Sequence, residues 1–327
     1  MPDRLDAFGV EPQYLDHLLP VWEALPPEYR GTLYDRRPDG RGPIMVASYK
    51  DYALSPRRPV VFVEHGAGQS YNGRHPAYSG GPRRDRSILF LCPGEEVARR
   101  NRATYPSIPS VAVGPPKLDP WIGKPSPGTG IIALAFHWNA HVAPEGRSAL
   151  EHYRKALPEL ARSFHVVGHG HPRAAPTLRK VYRQAGIEYV PSFAEVLDRA
   201  DLLVCDNSSV LYEFAALDRP VVVLDAPWYR RNVEHGLRFW EHADVGVRVQ
   251  SPNQLGEAVG PALSDPDEVA ERRRRICRAV YGELDGRSSE RAAAAVVEVL
   301  RSRGSAAGLV GSPTGRPRVV PEPALGN

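Results

Sequence analysis

The chain has 327 residues, a hydrophobic content of 42% and a formal net charge of +4. This length is enough for about two domains, and no apolar run approaches the ~20 residues that a membrane-spanning helix needs. The weak positive charge comes without a basic face interleaved with aromatic residues, which argues against nucleic acid as a partner.

The first third of the chain predicts a small α/β domain with a parallel sheet. An amphipathic helix is expected at 14–25 and a short helix at 94–104. Short apolar runs, typical of buried strands, occur at 44–47, 60–63, 88–91 and 111–113. The second of these strands leads into His65-Gly66, where the histidine is either a structural hydrogen-bonding residue or a catalytic base.

A segment dense in proline and glycine, 115–130, precedes a second α/β unit. Strands are expected there at 131–136, 164–167 and 187–190, and helices at 147–163, 173–185, 193–199, 253–263, 267–281 and 287–303. We therefore predict a first domain at 1–118, a linker at 119–130, a second domain with the terminal helix at 131–303, and a disordered tail at 304–327.

The stretch 200–229 holds the clearest sign of a ligand site. A buried strand at 202–205 leads into Asp206-Asn207-Ser208-Ser209, a helix follows, and the next buried strand is 221–224. Loops in this position are where α/β sheets bind ligands, and backbone N–H groups with two hydroxyls suit a phosphate or diphosphate. Plain N-capping by Asp206 or Ser209 explains the same residues, so both interpretations stay open at this point.

Metal binding is the alternative for the histidines of the second unit. His169 and His171 flank Gly170, and His137 and His141 are further candidate ligands. None of them stands beside an acid at helical i, i+4 spacing, so we predict no metal and instead one histidine that faces an anion. The D-x-D that begins at Asp265 precedes a helix and is expected to be a turn and a cap.

Other patterns limit the compartment and the class of protein. The cysteines, Cys92, Cys205 and Cys277, form neither a metal-ligand pair nor a disulfide framework, which predicts a reducing, cytoplasmic location. The N-terminus has no basic start followed by an apolar core, so no secretory signal is expected. We predict no transmembrane segment, and peripheral contact with a membrane stays open. The absence of G-x-S-x-G and of a Walker loop disfavours serine hydrolases and P-loop enzymes.

Six segments, in order along the chain, resemble motifs of the CDP-glycerol glycerophosphotransferase family, the teichoic acid polymerase type. They are His65-Gly66, Gly114 to Asp119, His171-Pro172, Asp206 to Val210 with Glu213, Asp218 to Val221, and Asp285 to Ser288. The resemblance implies the GT-B fold, in which two Rossmann-like domains face each other across a cleft, and it implies neither a cofactor nor a metal.

The resemblance also implies roles for individual residues. His65 would be the general base, and His171 would contact the donor phosphate and stabilise the leaving nucleotide. Ser208 and Ser209, with Asn207, would hold the diphosphate. Glu213 would bind a ribose or glycerol hydroxyl, and Asp206 and Gly66 are further candidate contacts on the donor side.

The implied function is transfer of glycerophosphate, or a similar alditol phosphate, from a CDP-linked donor to a hydroxyl of a glycan or a teichoic-acid-like polymer. A GT-B glycosyltransferase that uses a nucleotide sugar is the nearest alternative. A nucleotide-sugar epimerase shares the architecture, and a non-catalytic module that binds nucleotides or glycans belongs to another class. A module of that kind needs no base, so the presence of both His65 and His171 favours an enzyme.

Overall fold

The computed structural model describes residues 3–67, 83–140, 146–229 and 244–309, with side chains as far as residue 304. Within these ranges the chain forms two six-stranded sheets whose strands pair in parallel. Helices connect the strands, as right-handed crossovers between parallel strands require. The two α/β domains expected from the sequence are therefore confirmed.

The first sheet is built from six short strands. They are β1 Leu5–Phe8, β2 Arg30–Tyr34, β3 Ile44–Val46, β4 Val60–Val63, β5 Ser87–Cys92 and β6 Ser110–Ala112. Their order is β2-β1-β3-β4-β5-β6. All four residues of β4 are buried, because a central parallel strand is covered on both faces. No strand before residue 44 was predicted, since the sequences of β1 and β2 mix polar with apolar residues.

Three helices belong to this sheet: α1 Pro12–Ala24, α2 Tyr49–Leu54 and α3 Glu95–Thr104. Helix α1 begins with proline in its first turn, where a missing N–H costs nothing. Helix α2 is capped at its N-terminus by Ser48, whose Oγ accepts the Asp51 N–H at 3.0 Å. Both helices follow the carboxyl end of a strand, so their first turns lie at the same edge of the sheet as His65.

The second sheet contains β7 Ile132–Phe136, β8 Val166–Gly170, β9 Glu188–Tyr189, β10 Leu202–Cys205, β11 Val221–Leu224 and β12 Val247–Val249. Its order, β12-β11-β10-β7-β8-β9, is the doubly wound order of a dinucleotide-binding fold. The direction of winding reverses between β7 and β10. Sheets of this kind bind ligands in the crevice beyond the carboxyl ends of those two strands.

The helices of this half are α4 Leu150–Tyr153, α5 Leu157–Ser163, α6 Ala175–Gln184, α7 Phe193–Arg199, α8 Val210–Ala215, α9 Leu255–Leu263, α10 Asp267–Tyr281 and α11 Ser288–Leu309. The prediction of one helix at 147–163 was wrong, because the segment forms α4 and α5. Pro158 lies in the first turn of α5 and has no N–H for the carbonyl four residues earlier.

The apolar core joins the two domains. One cluster of buried side chains contains Phe62 and Phe90 of the first sheet together with Phe214 and Ile276 of the second domain. Such a contact limits the relative motion of the domains, since opening it would expose apolar surface.

The terminal helix packs on the first domain. Ala292, Val296 and Leu300 of α11 lie in one buried cluster with Leu18 and Val21 of α1. The predicted boundaries group this helix with the second domain, and those boundaries stay a prediction. The tail from residue 310 onward lies outside the described residues.

Candidate functional site

The candidate site is a cleft of about 680 Å³ between the carboxyl ends of the two sheets. The two histidines and the two serines singled out in the sequence, His65, His171, Ser208 and Ser209, all line it. They come from different domains, so the fold brings together side chains that are far apart in the sequence. This placement agrees with the ligand crevice expected where the second sheet reverses its winding.

His65 is held by the neighbouring strand. Its Nδ1 lies 2.7 Å from the carbonyl oxygen of Ala47, at the end of β3. A carbonyl oxygen can only accept, so Nδ1 carries the ring proton and Nε2 has the lone pair. The ring of Tyr14 meets the His65 ring edge-on, with 5.2 Å between the centroids. In the neutral form of His65 the basic nitrogen is therefore Nε2.

His171 has the opposite proton position. Its Nδ1 accepts the backbone N–H of Arg173 at 3.2 Å, so in the neutral ring Nε2 carries the proton. The rings of His137 and Trp138 lie 5.2 and 5.9 Å from its centroid. His171 can thus donate a hydrogen bond from Nε2, whereas His65 can accept one.

Ser208 and Ser209 occupy the turn between β10 and α8. Ser209 stands at the N-cap position of α8, yet its hydroxyl makes no capping hydrogen bond. Ser208 is 6% exposed and also lines the cleft. The interpretation of Ser209 as a plain N-cap is therefore not what the structure shows.

Gly66 packs directly against Ser209. Its φ is +61°, and a Cβ built on it would lie 2.8 Å from Ser209 Oγ and 2.9 Å from Ser209 Cβ. Only glycine fits without strain at such a φ and such a distance. The loop after β4 and the loop after β10 therefore touch across the domain boundary.

Asp206 organises the loops behind the cleft. Its Oδ1 accepts the His137 N–H at 2.9 Å and its Oδ2 accepts the Ala149 N–H at 3.0 Å. The side chain is fully buried, and neither Asp206 nor Asn207 is among the cleft-lining residues. Asp206 therefore positions the loops that carry His137 and Ala149, and the donor contacts expected of Asp206 and Asn207 stay a prediction.

Glu213 forms an ion pair across the domains. Its Oε2 lies 2.7 Å from Nζ of Lys117, and the two side chains are 4% and 12% exposed. Lys117 lies in the short 3₁₀ turn Pro116–Leu118, and its Nζ is 4.7 Å from the centroid of the Phe193 ring. Both residues of the pair line the cleft. The sequence marked Lys117 as part of a motif but gave it no role.

Three further histidines line the cleft: His17, His137 and His169. The sequence marked His137 and His169 only as candidate metal ligands and gave His17 no role. Burial lowers the pKa of His169 to about 4, and the charge of Lys117 lowers it further. The hydrogen bond to the Val190 carbonyl oxygen opposes both effects. Burial also holds the pKa of His17 well below its usual value, with Lys117 and His65 adding to the effect. Both rings are therefore neutral at pH 7.

The segment that carries Lys117 is fixed at its other end by Asp119. The two carboxylate oxygens of Asp119 accept the N–H groups of Ser288 and Ser289, at 3.0 and 2.7 Å, and so cap α11. Gly114 packs against Ser288, because a Cβ built on Gly114 would lie 2.5 Å from Ser288 Oγ. Two of the six motif segments, 114–119 and 285–288, therefore meet at this cap.

Within the described ranges, no group of three or more His, Cys, Asp or Glu side chains could hold a metal ion. Asp265 of the D-x-D instead pairs with the buried Arg273, whose Nη1 lies 2.7 Å from Asp265 Oδ1. His141, the fourth candidate ligand, lies outside the described residues. In the same part of the chain, no helix is long and apolar enough to cross a bilayer.

The chain matches a known family over most of its second domain. Residues 146–298 fit the family model of CDP-glycerol:poly(glycerophosphate) glycerophosphotransferase. The resemblance to the glycerophosphotransferases is confirmed. No curated protein sequence matches the chain.

Solved structures agree on the fold. The wall teichoic acid polymerase TagF, in a variant soaked with CDPG, superposes with a TM-score of 0.61 at 13% identity, covering 93% of this chain and 90% of that one. A putative UDP-N-acetylglucosamine 2-epimerase from Listeria monocytogenes gives 0.58 at 14%, covering 91% and 96%. MnaA of S. aureus with UDP gives 0.59 at 14%, covering 93% and 97%. The GT-B fold that the glycerophosphotransferase motifs implied is therefore confirmed.

Proposed function

We propose that the protein is a GT-B transferase that moves glycerophosphate, or a similar alditol phosphate, from a CDP-linked donor to a hydroxyl of a glycan or a teichoic-acid-like polymer. One observation carries the proposal. A ring nitrogen with a lone pair and a ring N–H donor enter one cleft from opposite domains, beside two serine hydroxyls. The family match supports the choice of donor.

In the proposed reaction His65 acts as the general base. Its Nε2 takes the proton of the acceptor hydroxyl while the acceptor oxygen bonds to the phosphorus that carries glycerol. The phosphoanhydride bond breaks, and its electron pair leaves on CMP. The products are glycerophosphate esterified to the acceptor, CMP, and a proton held on His65.

His171, Ser208 and Ser209 are the proposed contacts of the donor diphosphate. Nε2–H of His171 and the two hydroxyls would donate to its oxygens, and such preorganised donors stabilise the charge that develops on the leaving phosphate. Glu213, which lines the cleft in the turn after the serines, is the proposed contact of a ribose or glycerol hydroxyl. Gly66 would serve by letting its loop approach Ser209.

The test is release of CMP from CDP-glycerol by purified protein, with and without a glycan acceptor. His65→Ala should reduce turnover by roughly 100-fold or more, the usual size of a general-base contribution. His165→Ala is the matched control, because His165 is exposed and lies outside the cleft. Equal turnover in the wild type and His65→Ala would remove the proposed base.

Nucleotide choice is tested by thermal shift with CDP, UDP, GDP and TDP derivatives. A ligand at 100 times its Kd should stabilise the protein by roughly 2.7 kcal/mol. A response to UDP-sugars alone would favour the glycosyltransferase alternative, and NMR analysis of a UDP-sugar incubated without acceptor would reveal an epimerase. No response to any nucleotide would contradict the proposed transferase.

A further inference from the structure

The donor contacts proposed above do not balance the charge of the donor. A diphosphate is dianionic near neutral pH, and its charge concentrates on the leaving group as the anhydride bond breaks. The ring of His171 is neutral, because its Nδ1 accepts a hydrogen bond, and burial keeps His17 and His169 neutral as well. A site of this kind needs a fixed positive charge close to the serines.

Among the described residues that line the cleft, Lys117 is the basic residue whose side chain is largely removed from solvent. The other basic side chains there, Lys50, Arg173 and Arg179, belong to exposed residues. The Lys117 side chain is only 12% exposed, and its partner Glu213 follows Ser209 by four residues in the same turn of chain. A charge in such a position is screened far less by water than one at the rim.

The ammonium of Lys117 has donors to spare. It carries three N–H groups, and the described contacts use one of them in a hydrogen bond, to Glu213 Oε2 at 2.7 Å. Glu213 also compensates the positive charge in the resting site, which offsets the cost of burying it. The ion pair therefore holds the Lys117 side chain in the cleft while no substrate is bound.

The main chain that follows Lys117 is anchored by packing and hydrogen bonds. Leu118 is fully buried, and Asp119 caps the terminal helix, so the 3₁₀ turn cannot shift without breaking both contacts. A preorganised cation stabilises developing charge without the cost of reorganising at the moment of reaction.

We propose that Lys117 binds the donor diphosphate and stabilises the negative charge that develops on the departing CMP, while Glu213 holds the Lys117 ammonium in position. The inference rests on the proposed function. In the transfer step the anhydride electron pair goes to the CMP oxygen, where a Lys117 N–H donates to it, while the acceptor proton goes to His65. Lys117 is thus the cationic contact of the leaving group, and His171 a neutral one.

The experiment compares the affinity for CDP, by calorimetry, with that for cytidine, by ligand-observed NMR. Lys117→Met should weaken CDP binding about 10- to 100-fold, the range of a hydrogen bond to a charged group, and leave cytidine binding unchanged. Lys117→Arg should restore most of the CDP affinity. Lys124→Met is the matched control, since it removes a lysine charge from an exposed position of the same segment.

The variant Lys117→Met leaves Glu213 buried without its partner and could fail to fold. The double variant Lys117→Met/Glu213→Gln removes that charge, and its reference is Glu213→Gln alone, because Glu213 is itself a proposed ribose contact. Relative to that reference, the double variant should lose CDP affinity while its cytidine affinity stays the same. Equal weakening of CDP and cytidine, or unchanged CDP affinity, would overturn the role of Lys117 while leaving the proposed function in place. A wild-type protein that binds no cytidine nucleotide would overturn both.

Discussion

Gly66 offers a direct test of the contact between the two halves of the cleft. Alanine at this position would place Cβ 2.8 Å from Ser209 Oγ and 2.9 Å from Ser209 Cβ. Rotation of the serine side chain can move Oγ but not Cβ, so the two loops would have to separate. The substitution therefore acts on the domain interface beside the proposed base.

Two costs add in Gly66→Ala. A residue with a Cβ in the left-handed region costs about 1–2 kcal/mol, and overpacking a tight contact costs about 1–3 kcal/mol. The expected loss of unfolding free energy is thus about 2–5 kcal/mol. Gly123→Ala is the matched control, because Gly123 has φ +76° and nothing lies within 4 Å of its built Cβ. It should show only the first cost.

The assay is urea and thermal unfolding of the wild type, the single variants Gly66→Ala, Gly123→Ala and Ser209→Gly, and the double variant Gly66→Ala/Ser209→Gly. The double variant removes the serine Cβ and Oγ, so its stability should recover the steric part of the loss relative to Ser209→Gly alone. If Gly66→Ala is no less stable than Gly123→Ala, the two loops do not touch in solution and the closed cleft described above is wrong.

Three further predictions concern a buried ion pair, a cleft histidine and a helix cap. Arg84→Met should lower the free energy of unfolding in urea by about 3–5 kcal/mol, because Arg84 is fully buried and its partner Glu64, 2.5 Å away, would remain as a buried, uncompensated charge. Arg83→Met breaks an exposed ion pair at the next residue and should change the urea midpoint little. The pKa of His169 is about 4 in the folded protein and 6.5 in the unfolded chain, so the unfolded chain binds more protons between these two pH values. The free energy of unfolding should therefore fall by up to about 3 kcal/mol as the pH drops from 6.5 to 4. His169→Asn should flatten this part of the plot of urea midpoint against pH, and an equal slope in both proteins would contradict the burial argument. Asp119→Ala should cost about 1–2 kcal/mol through loss of the α11 cap and expose the α11 amides to faster hydrogen exchange, whereas an unchanged exchange rate would exclude the cap.

The predicted elements that agree with the structure are those with a local signature. The strands at 202–205 and 221–224 and the helix at 267–281 have the predicted bounds. Short continuous apolar runs and one long amphipathic period can be recognised within a short window of sequence. Strands β1, β2 and β12 were missed, because three to five mixed residues carry no such signal. Their place in the sheets depends on partners elsewhere in the chain.

The residues of the candidate site likewise divide into those that a local sequence pattern reveals and those that it does not. Loops after predicted strands gave His65, His171, Ser208 and Ser209, and the structure brings them into one cleft. The Lys117–Glu213 pair spans 96 residues, so no local pattern could pair them. The motif spacing still marked both residues, which suggests that the motifs record contacts across the domain boundary as well as contacts with a ligand.

The proton positions of the two key histidines show what the sequence cannot supply. Both residues follow a strand and precede a turn, and nothing in their neighbours tells a base from a donor. The difference comes from the backbone group that meets each Nδ1: the carbonyl of Ala47 for His65, and the N–H of Arg173 for His171. One partner forces the proton onto Nδ1 and the other forces it onto Nε2. Exchanged proton positions would put the lone pair beside the diphosphate, where it would repel the donor, and the N–H beside the acceptor, where it could take no proton. The proposed chemistry therefore depends on main-chain geometry that only the folded protein defines.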